Sequence, residues 1–146
     1  MSLVAIMTPR AKLTTTQPDA NLASLRQVFS QARFQHIPVV DSTDKVVGIV
    51  SVKDYFKQLS PVMDAASDQA ISLFLKTRKV QQVMVFPVIT VQSSLTLRAA
   101  AAMLLEHNIS CLIVTDNHNR LLGLVSWKDI IKAALFAKTA AKPQGV

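Results

Sequence analysis

Residues 48–54 read GIVSVKD, and residues 123–129 read GLVSWKD. Five of the seven positions are identical, and the two stretches begin 75 residues apart. Each passes from a glycine through two aliphatic residues into Ser-x-Lys-Asp. That is the pattern of a β-prone run meeting a helix start. Three chemistries fit a serine followed three places later by a carboxylate: a structural cap, a catalytic acid, and a grip on a ligand.

The repetition extends outward from this phrase. At the same offset Thr15 matches Thr90, Leu22 matches Leu97, Val39 matches Val114, Asp41 matches Asp116 and Lys57 matches Lys132. Two copies suit a pseudo-twofold pair better than a solenoid array. In each copy a short strand comes first, LTTT (13–16) and VITV (88–91). Asp19 and Ser94 are the expected helix N-caps, since their side-chain oxygens can accept a free N–H of the first turn. Helical stripes follow: Leu22, Leu25, Val28, Phe29 and Ala32, then Leu97, Ala100, Met103 and Leu104. The runs HIPVV (36–40) and VVGIVS, around DSTDK, read as a hairpin, as do CLIV (111–114) and LLGLVS around TDNHNR. KDYFKQL and KDIIKAALFAK close the copies as helices. The unit is β-α-β-β-α, with its first two strands parallel through a right-handed crossover. Between the copies Val62, Ala66, Ala70, Leu73 and Phe74 predict an amphipathic linker helix starting near Pro61. The expected division is 1–60, a helical linker at 61–82, and 83–146. The fold class is α+β, of α/β sandwich type, with the two repeats packed through their sheets.

A chain of 146 residues, half of them hydrophobic and with a mean hydropathy of +0.32, holds ample core material. Its longest apolar run, Ala99–Leu105, is far short of the ~18 residues of a membrane span. The opening Met-Ser-Leu lacks the charged start and apolar core of a secretion signal. The single cysteine, Cys111, excludes an intrachain disulfide and suits a reducing cytoplasm, the expected location. Net charge is +7 and the pI is about 9.9, which draws anions. His36, His107 and His118 show no HExxH or CxxC spacing, so no metal site is expected. No GxxxxGK[ST] or GxGxxG loop is present, and no nucleophile–base pair stands out, so the chain does not read as an enzyme. Cys111 reads as an inert thiol in an apolar strand. Lys76, Arg78 and Lys79 read as a solvated basic face. A nucleic-acid role rests on charge alone, with neither an Arg-rich recognition helix nor a set of stacking aromatics behind it.

A tandem β-α-β-β-α repeat with Gly-φ-φ-Ser-x-x-Asp closing the third strand resembles the cystathionine-beta-synthase (CBS) domain pair, or Bateman module. IMTP (6–9) and VMVFP (83–87) resemble the Met-Thr-Pro lead-in of each repeat, and HIPVVD (36–41) resembles the φ-Pro-Val-Val-Asp strand. CLIVTD (111–116) is a looser version. The resemblance runs from about Ile6 to Ala137. It implies regulatory binding of AMP, ADP or ATP, or of S-adenosylmethionine, in clefts between the repeats, with Mg²⁺ arriving only on a polyphosphate. One site would use Ser51, Lys53 and Asp54, with Thr15, His36, Ile37 and Pro38 beside them. The other would use Ser126, Lys128 and Asp129, with Ile89, Thr90, Ser110 and Leu112. A homodimer and an effector domain or protein are the implied partners. A dimerisation or scaffolding module with empty clefts is the alternative.

The chemistry of Ser-x-x-Asp stands beside that resemblance. A carboxylate accepts two hydrogen bonds at once, which suits the vicinal hydroxyls of a ribose. A serine at a helix start lies where anions are favoured. The glycines, Gly48 and Gly123, admit a close approach to the strand. The same four residues also outline a helix cap, and the two roles are compatible. The copies are not equivalent. Ile113 stands where copy one has Pro38, Trp127 where it has Val52, and Cys111 where it has His36.

Overall fold

The computed structural model describes residues 2–31, 35–63 and 67–141, without the side chains of 61–63 and 137–141. In chain order the elements are β1 (Thr8–Pro9), α1 (Ala23–Ser30), β2 (His36–Val40), β3 (Val46–Ser51), α2 (Val52–Met63), α3 (Asp68–Thr77), β4 (Thr90–Gln92), α4 (Leu97–His107), β5 (Cys111–Thr115), β6 (Leu121–Ser126) and α5 (Trp127–Ala141). They fall into two compact units, Thr14–Val88 on the one hand and Met1–Leu13 with Ile89–Val146 on the other. The units therefore cut across the linear order: each sequence copy sends its lead-in to the other copy's core.

In the unit of Thr14–Val88, β2 and β3 form an antiparallel hairpin that pairs His36 with Ser51, Ile37 with Val50 and Val39 with Gly48. The expected first strand, LTTT, is reduced to a single parallel bridge from Thr16 to Val39. Thr16 N–H donates to the Pro38 carbonyl at 3.1 Å, and Val40 N–H donates to the Thr16 carbonyl at 2.9 Å. Pro18 follows at once and has no N–H to extend the ladder. On the other edge Val85 of the second lead-in pairs with Ile49, exchanging bonds of 2.9 and 3.1 Å. In the other unit the same order is fuller: β1-β6-β5-β4, with β4 parallel to β5 and the rest antiparallel.

Strand alternation and the helical stripes fill two cores with matched positions. Leu25, Phe29, Ile37, Val39, Val50 and Tyr55 are buried in one. Ala100, Leu104, Leu112, Val114, Val125 and Ile130, each 75 places on, are buried in the other. Leu22 is buried with its core and Leu97 only partly so. The residues just ahead of the lead-ins complete both: Val80 is buried with the first set and Leu3 with the second. A Cβ on Gly48 would stand 2.5 Å from Met84 Sδ, and one on Gly123 would stand 2.7 Å from both Met7 Sδ and the Thr8 carbonyl oxygen. These glycines make room for the methionine of a lead-in.

Several sequence expectations move. The helix caps are not Asp19 and Ser94. Asn21 Oδ1 accepts Ser24 N–H at 3.1 Å, and Thr96 Oγ1 accepts Ala99 N–H at 3.1 Å, two residues farther along in each copy. No new helix starts at Pro61. Helix α2 runs through it to Met63, and α3 begins at Asp68 with Ser67 Oγ accepting Ala70 N–H at 3.2 Å. The inward stripe of α3 is Ile71, Phe74 and Leu75, while Ala70 and Leu73 are exposed. The expected contributions of Ala32 and Ala66, and of the Val62 side chain, lie outside the described residues. The basic cluster also divides. Lys76 and Lys79 are exposed, but Arg78 turns inward, with its guanidinium 5.9 Å from the Phe74 ring centre and Nη2 donating to Gln58 Oε1 at 3.1 Å. The hairpin turns repeat in detail: Asp41 Oδ1 accepts the N–H of Thr43 and Lys45, and Asp116 Oδ1 accepts the N–H of His118 and Arg120. The Thr43 hydroxyl also donates to Asp41 Oδ1 at 2.7 Å, and hydrogen bonds hold both carboxyls below their ordinary pKa, led by that hydroxyl at Asp41 and by the Arg120 amide at Asp116.

Candidate functional site

Each copy of Ser-x-Lys-Asp lies where a strand becomes a helix, and the last rung of the hairpin fixes that point. Val52 N–H donates to the Gln35 carbonyl at 2.8 Å, and Trp127 N–H donates to the Ser110 carbonyl at 3.1 Å. Beyond these bonds the chain turns into α2 and α5. The serine and aspartate then close a reciprocal capping box. Ser51 N–H donates to Asp54 Oδ2 and Asp54 N–H donates to Ser51 Oγ, both at 3.0 Å. Ser126 N–H donates to Asp129 Oδ2 at 2.8 Å, and Asp129 N–H donates to Ser126 Oγ at 3.3 Å. Aspartate, one methylene shorter than the usual glutamate, completes the box in both copies.

The box occupies one carboxylate oxygen. Oδ1 of Asp54 and Oδ1 of Asp129 remain for further donors, on half-buried side chains at the start of a helix. The copies differ at the serine. Ser126 Oγ also gives its proton to Asp129 Oδ2, at 3.1 Å. That contact has no counterpart in the Ser51 box, so the Ser51 hydroxyl keeps a proton to donate.

Residues directly opposite in a hairpin share a face. His36 therefore stands on the face of Ser51, and Cys111 on the face of Ser126. Thr90, beside Ile113 in the parallel pair of β4 and β5, joins the second set. His36 is half-buried, and that burial lowers its pKa from 6.5 while Asp54 pulls it back up. Cys111 is buried and its thiol is pushed up to about 12, so it is an inert thiol at neutral pH.

The other expected residues fall into place around these boxes. Lys53 and Lys128 are exposed in the first turns of α2 and α5. Thr15 is half-buried, as is Ile89, which packs on the core of its unit. Ser110 is exposed, with its carbonyl bound to Trp127 N–H. Pro38 is buried on the His36 face, and its carbonyl accepts from Thr16. Ile37 and Leu112 are both 0% exposed, and their side chains pack in the cores. Strand alternation sends them to the face opposite His36 and Cys111, away from the boxes. Sequence reasoning passed over Ile49 and Leu124, which lie on the same face as the serines two places earlier; counting back by two from Ser51 and Ser126 finds them. Trp127 is half-buried and packs on the second core. Among the described residues no three His, Cys, Asp or Glu gather as metal ligands, and no helix is long and apolar enough to cross a membrane.

The family model of the CBS domain matches residues 4–61 and again 80–135. Inosine-5'-monophosphate dehydrogenase of Methanocaldococcus jannaschii is 27% identical over 131 residues, which is 90% of this chain and 23% of that protein. The dehydrogenase of the same name from Mycobacterium tuberculosis H37Rv is 32% identical over 119 residues, 81% of this chain and 20% of that one. The chain thus spans less than a quarter of the length of these two relatives. Among solved structures, CBSX2 in complex with AMP matches with a TM-score of 0.78 and 26% identity, covering 94% of this chain and 98% of that one. CBSX2 is a CBS-pair protein of Arabidopsis thaliana. The CBS domain of the bacterial CNNM/CorC family Mg²⁺ transporter in complex with ATP matches with a TM-score of 0.72 and 25% identity, over 90% and 85% of the two chains. With one match on each sequence copy, and the same mixed helix-and-strand architecture in these structures, the chain belongs to the CBS-domain family and is a tandem CBS pair, or Bateman module.

Proposed function

We propose that this CBS pair is a regulatory module that binds an adenine nucleotide, AMP, ADP or ATP, at its Ser-x-x-Asp boxes and passes occupancy to a partner domain or protein. The observation that carries the reading is the twice-built box, in which one carboxylate oxygen holds the helix start and the other is left for a ribose diol. The AMP complex of CBSX2 and the ATP complex of the transporter's CBS domain support it as ligand precedents at 26% and 25% identity. The dehydrogenase relatives, far longer than this chain, support a partner domain as the receiver. S-adenosylmethionine is the alternative ligand, and Mg²⁺ would enter only with a polyphosphate. The module is read as regulatory rather than catalytic, with each carboxylate serving as a cap and a grip. A reducing cytoplasm suits the lone, inert Cys111. In sequence the repeats are taken as 1–60 and 83–146, joined by 61–82. Calorimetry with AMP, ADP, ATP and S-adenosylmethionine tests the reading. The expected result is heat and a raised melting temperature with at least one adenine nucleotide; silence from all of them at millimolar concentration would sink it.

A second reading, a homodimer that serves as a scaffold, is favoured by one observation. Helices α4 and α5 touch each other and expose Leu105, Ile131, Leu135 and Phe136, each more than half accessible. Apolar side chains gathered on two adjoining helices suit a protein partner, and a second copy is the simplest one. Sedimentation would show a dimer with or without nucleotide; a strict monomer in both conditions removes this reading.

A further inference from the structure

We propose that Met84 and Met7 are paired sulfoxidation sites, at which a peroxide oxidises the thioether and frees the lead-in from the strand that ends in the Ser-x-Lys-Asp box. The sites stand apart from the nucleotide reading, and nothing in their test depends on it.

The same small device is built twice. Leu3 and Val80 are each 0% exposed and anchor the chain in a core just ahead of a lead-in. One turn then sets the methionine. Met7 N–H donates to the Leu3 carbonyl at 2.8 Å, and Met84 N–H donates to the Val80 carbonyl at 2.9 Å. The next residue pairs with the edge of the sheet, Thr8 with Leu124 and Val85 with Ile49. Each methionine is thus pinned between a buried anchor and a strand pairing. Its side chain lies over the glycine one place before the paired residue. A Cβ on Gly48 would stand 2.5 Å from Met84 Sδ and 3.0 Å from its Cγ, and one on Gly123 would stand 2.7 and 3.0 Å from the same atoms of Met7. Not even a methyl group fits between sulfur and glycine.

Both methionines are half-buried, so a small oxidant reaches them, and both pack on a core. Cys111 does not compete, since it is buried and its thiol is pushed up to about 12. Met103, the third methionine whose side chain is described, packs on the second core from α4 and holds no lead-in. A hydroperoxide breaks its O–O bond and passes one oxygen to the sulfur. The sulfur gives up an electron pair, and water or an alcohol leaves. On the glycine side the new oxygen has no space. On the other side it makes polar a sulfur that packs among apolar groups. Either way the side chain is driven off the glycine, and the pairing next to it opens. Through a methionine sulfoxide reductase two thiols take the oxygen away as water and close to a disulfide, so the thioether is restored. Met84 responds first, because Val85 and Ile49 form an isolated bridge, whereas Met7 is followed by a two-residue strand paired with β6.

The test treats the full chain with dilute hydrogen peroxide. Mass spectrometry of its peptides locates the added oxygen, and NMR follows amide exchange. Ile49 N–H and Val85 N–H bond each other's carbonyls at 3.1 and 2.9 Å. Both are expected to exchange roughly tenfold faster once Met84 carries oxygen, with Thr8 and Leu124 following as Met7 is oxidised. Methionine sulfoxide reductase with dithiothreitol should return them to their starting rates. Met84→Leu keeps an apolar side chain of similar volume that peroxide leaves alone, so its Ile49–Val85 pair should ignore the treatment. If that variant already exchanges fast before treatment, the reductase step in the unsubstituted chain decides, and exchange that stays fast there counts against the proposal. Sulfoxide at Met84 and Met7 with exchange unchanged overturns it. So does exchange that quickens as much in Met84→Leu as in the unsubstituted chain, or a pair of methionines that stays unoxidised while Met103 is converted.

Discussion

The serine and aspartate of each box do two jobs with four residues, and single substitutions separate them. Ser51→Ala removes the acceptor for Asp54 N–H and is expected to cost about 1 kcal/mol in a urea melt. Asp54→Ala removes the cap and the ribose acceptor together. It should cost a similar amount of stability and also weaken AMP binding ten- to a hundredfold, as expected from ~1.5–3 kcal/mol for a hydrogen bond to a charged group. An Asp54→Ala chain that lost stability but bound AMP unchanged would leave the carboxylate as a cap alone. The glycines at the start of the repeated phrase give a graded test. Gly123→Ala forces a Cβ against the Thr8 backbone oxygen, whereas Gly48→Ala meets only the Met84 side chain. Overpacking of ~1–3 kcal/mol is expected for Gly123→Ala and less for Gly48→Ala, and equal costs would contradict this. His36 carries a pH signature in the unliganded chain. Its folded pKa lies below 6.5, so the unfolded chain binds more protons below that pH. Its contribution to stability is present above pH 6.5 and is lost as the pH falls toward the folded value. Melts of the wild type should therefore decline more steeply below pH 6.5 than melts of His36→Gln.

At the scale of elements, helix starts separate what a sequence pattern names from what a fold uses. QPDAN and QSSLT each hold several capping candidates within five residues. Pattern alone favours Asp19 and Ser94, yet the side chains that accept a first-turn N–H are Asn21, one place before the cap position Leu22, and Thr96 at the cap of α4. The choice is made by long-range bonds: Leu22 N–H donates to the Arg78 carbonyl, and Asn21 bridges Lys79, so the first turn of α1 is set by the chain leaving α3. Asn21→Ala and Thr96→Ala are each expected to cost about 1 kcal/mol, and Asp19→Ala and Ser94→Ala less than about 0.5 kcal/mol, measured by chemical denaturation. The hairpin turns were far more legible. Asp41 and Asp116 repeat at one offset and bind their own turns, and the left-handed positions Asp44 and Asn119 carry residue types that tolerate that conformation. The α3 stripe was misread because Ala70 and Leu73 satisfy a helical period as well as Ile71, Phe74 and Leu75 do. Only the presence of the first core picks between the two faces.

At the scale of the whole molecule, the lead-ins exchange. Leu3 opens the sequence but is 0% exposed in the core built from the second copy. Leu3→Ala should cost ~2–5 kcal/mol, and hydrogen exchange should quicken in β5 and β6 before β2 and β3. Faster exchange in β2 and β3 instead would contradict the division into units. Local pattern specified the twofold repeat, the hairpin-then-helix order of each copy, the stripes of α1 and α4, and the Ser-x-x-Asp boxes. These follow from local periodicity and from side chains that bond within three or four residues, and such information is written in adjacent letters. The tertiary structure alone decided which copy's core takes each lead-in, which of several polar residues caps α1 and α4, and that Ile37 and Leu112 turn inward while His36 and Cys111 stand beside the serines. Those outcomes depend on partners tens of residues away, because a buried backbone group or an apolar side chain settles wherever the folded chain satisfies it.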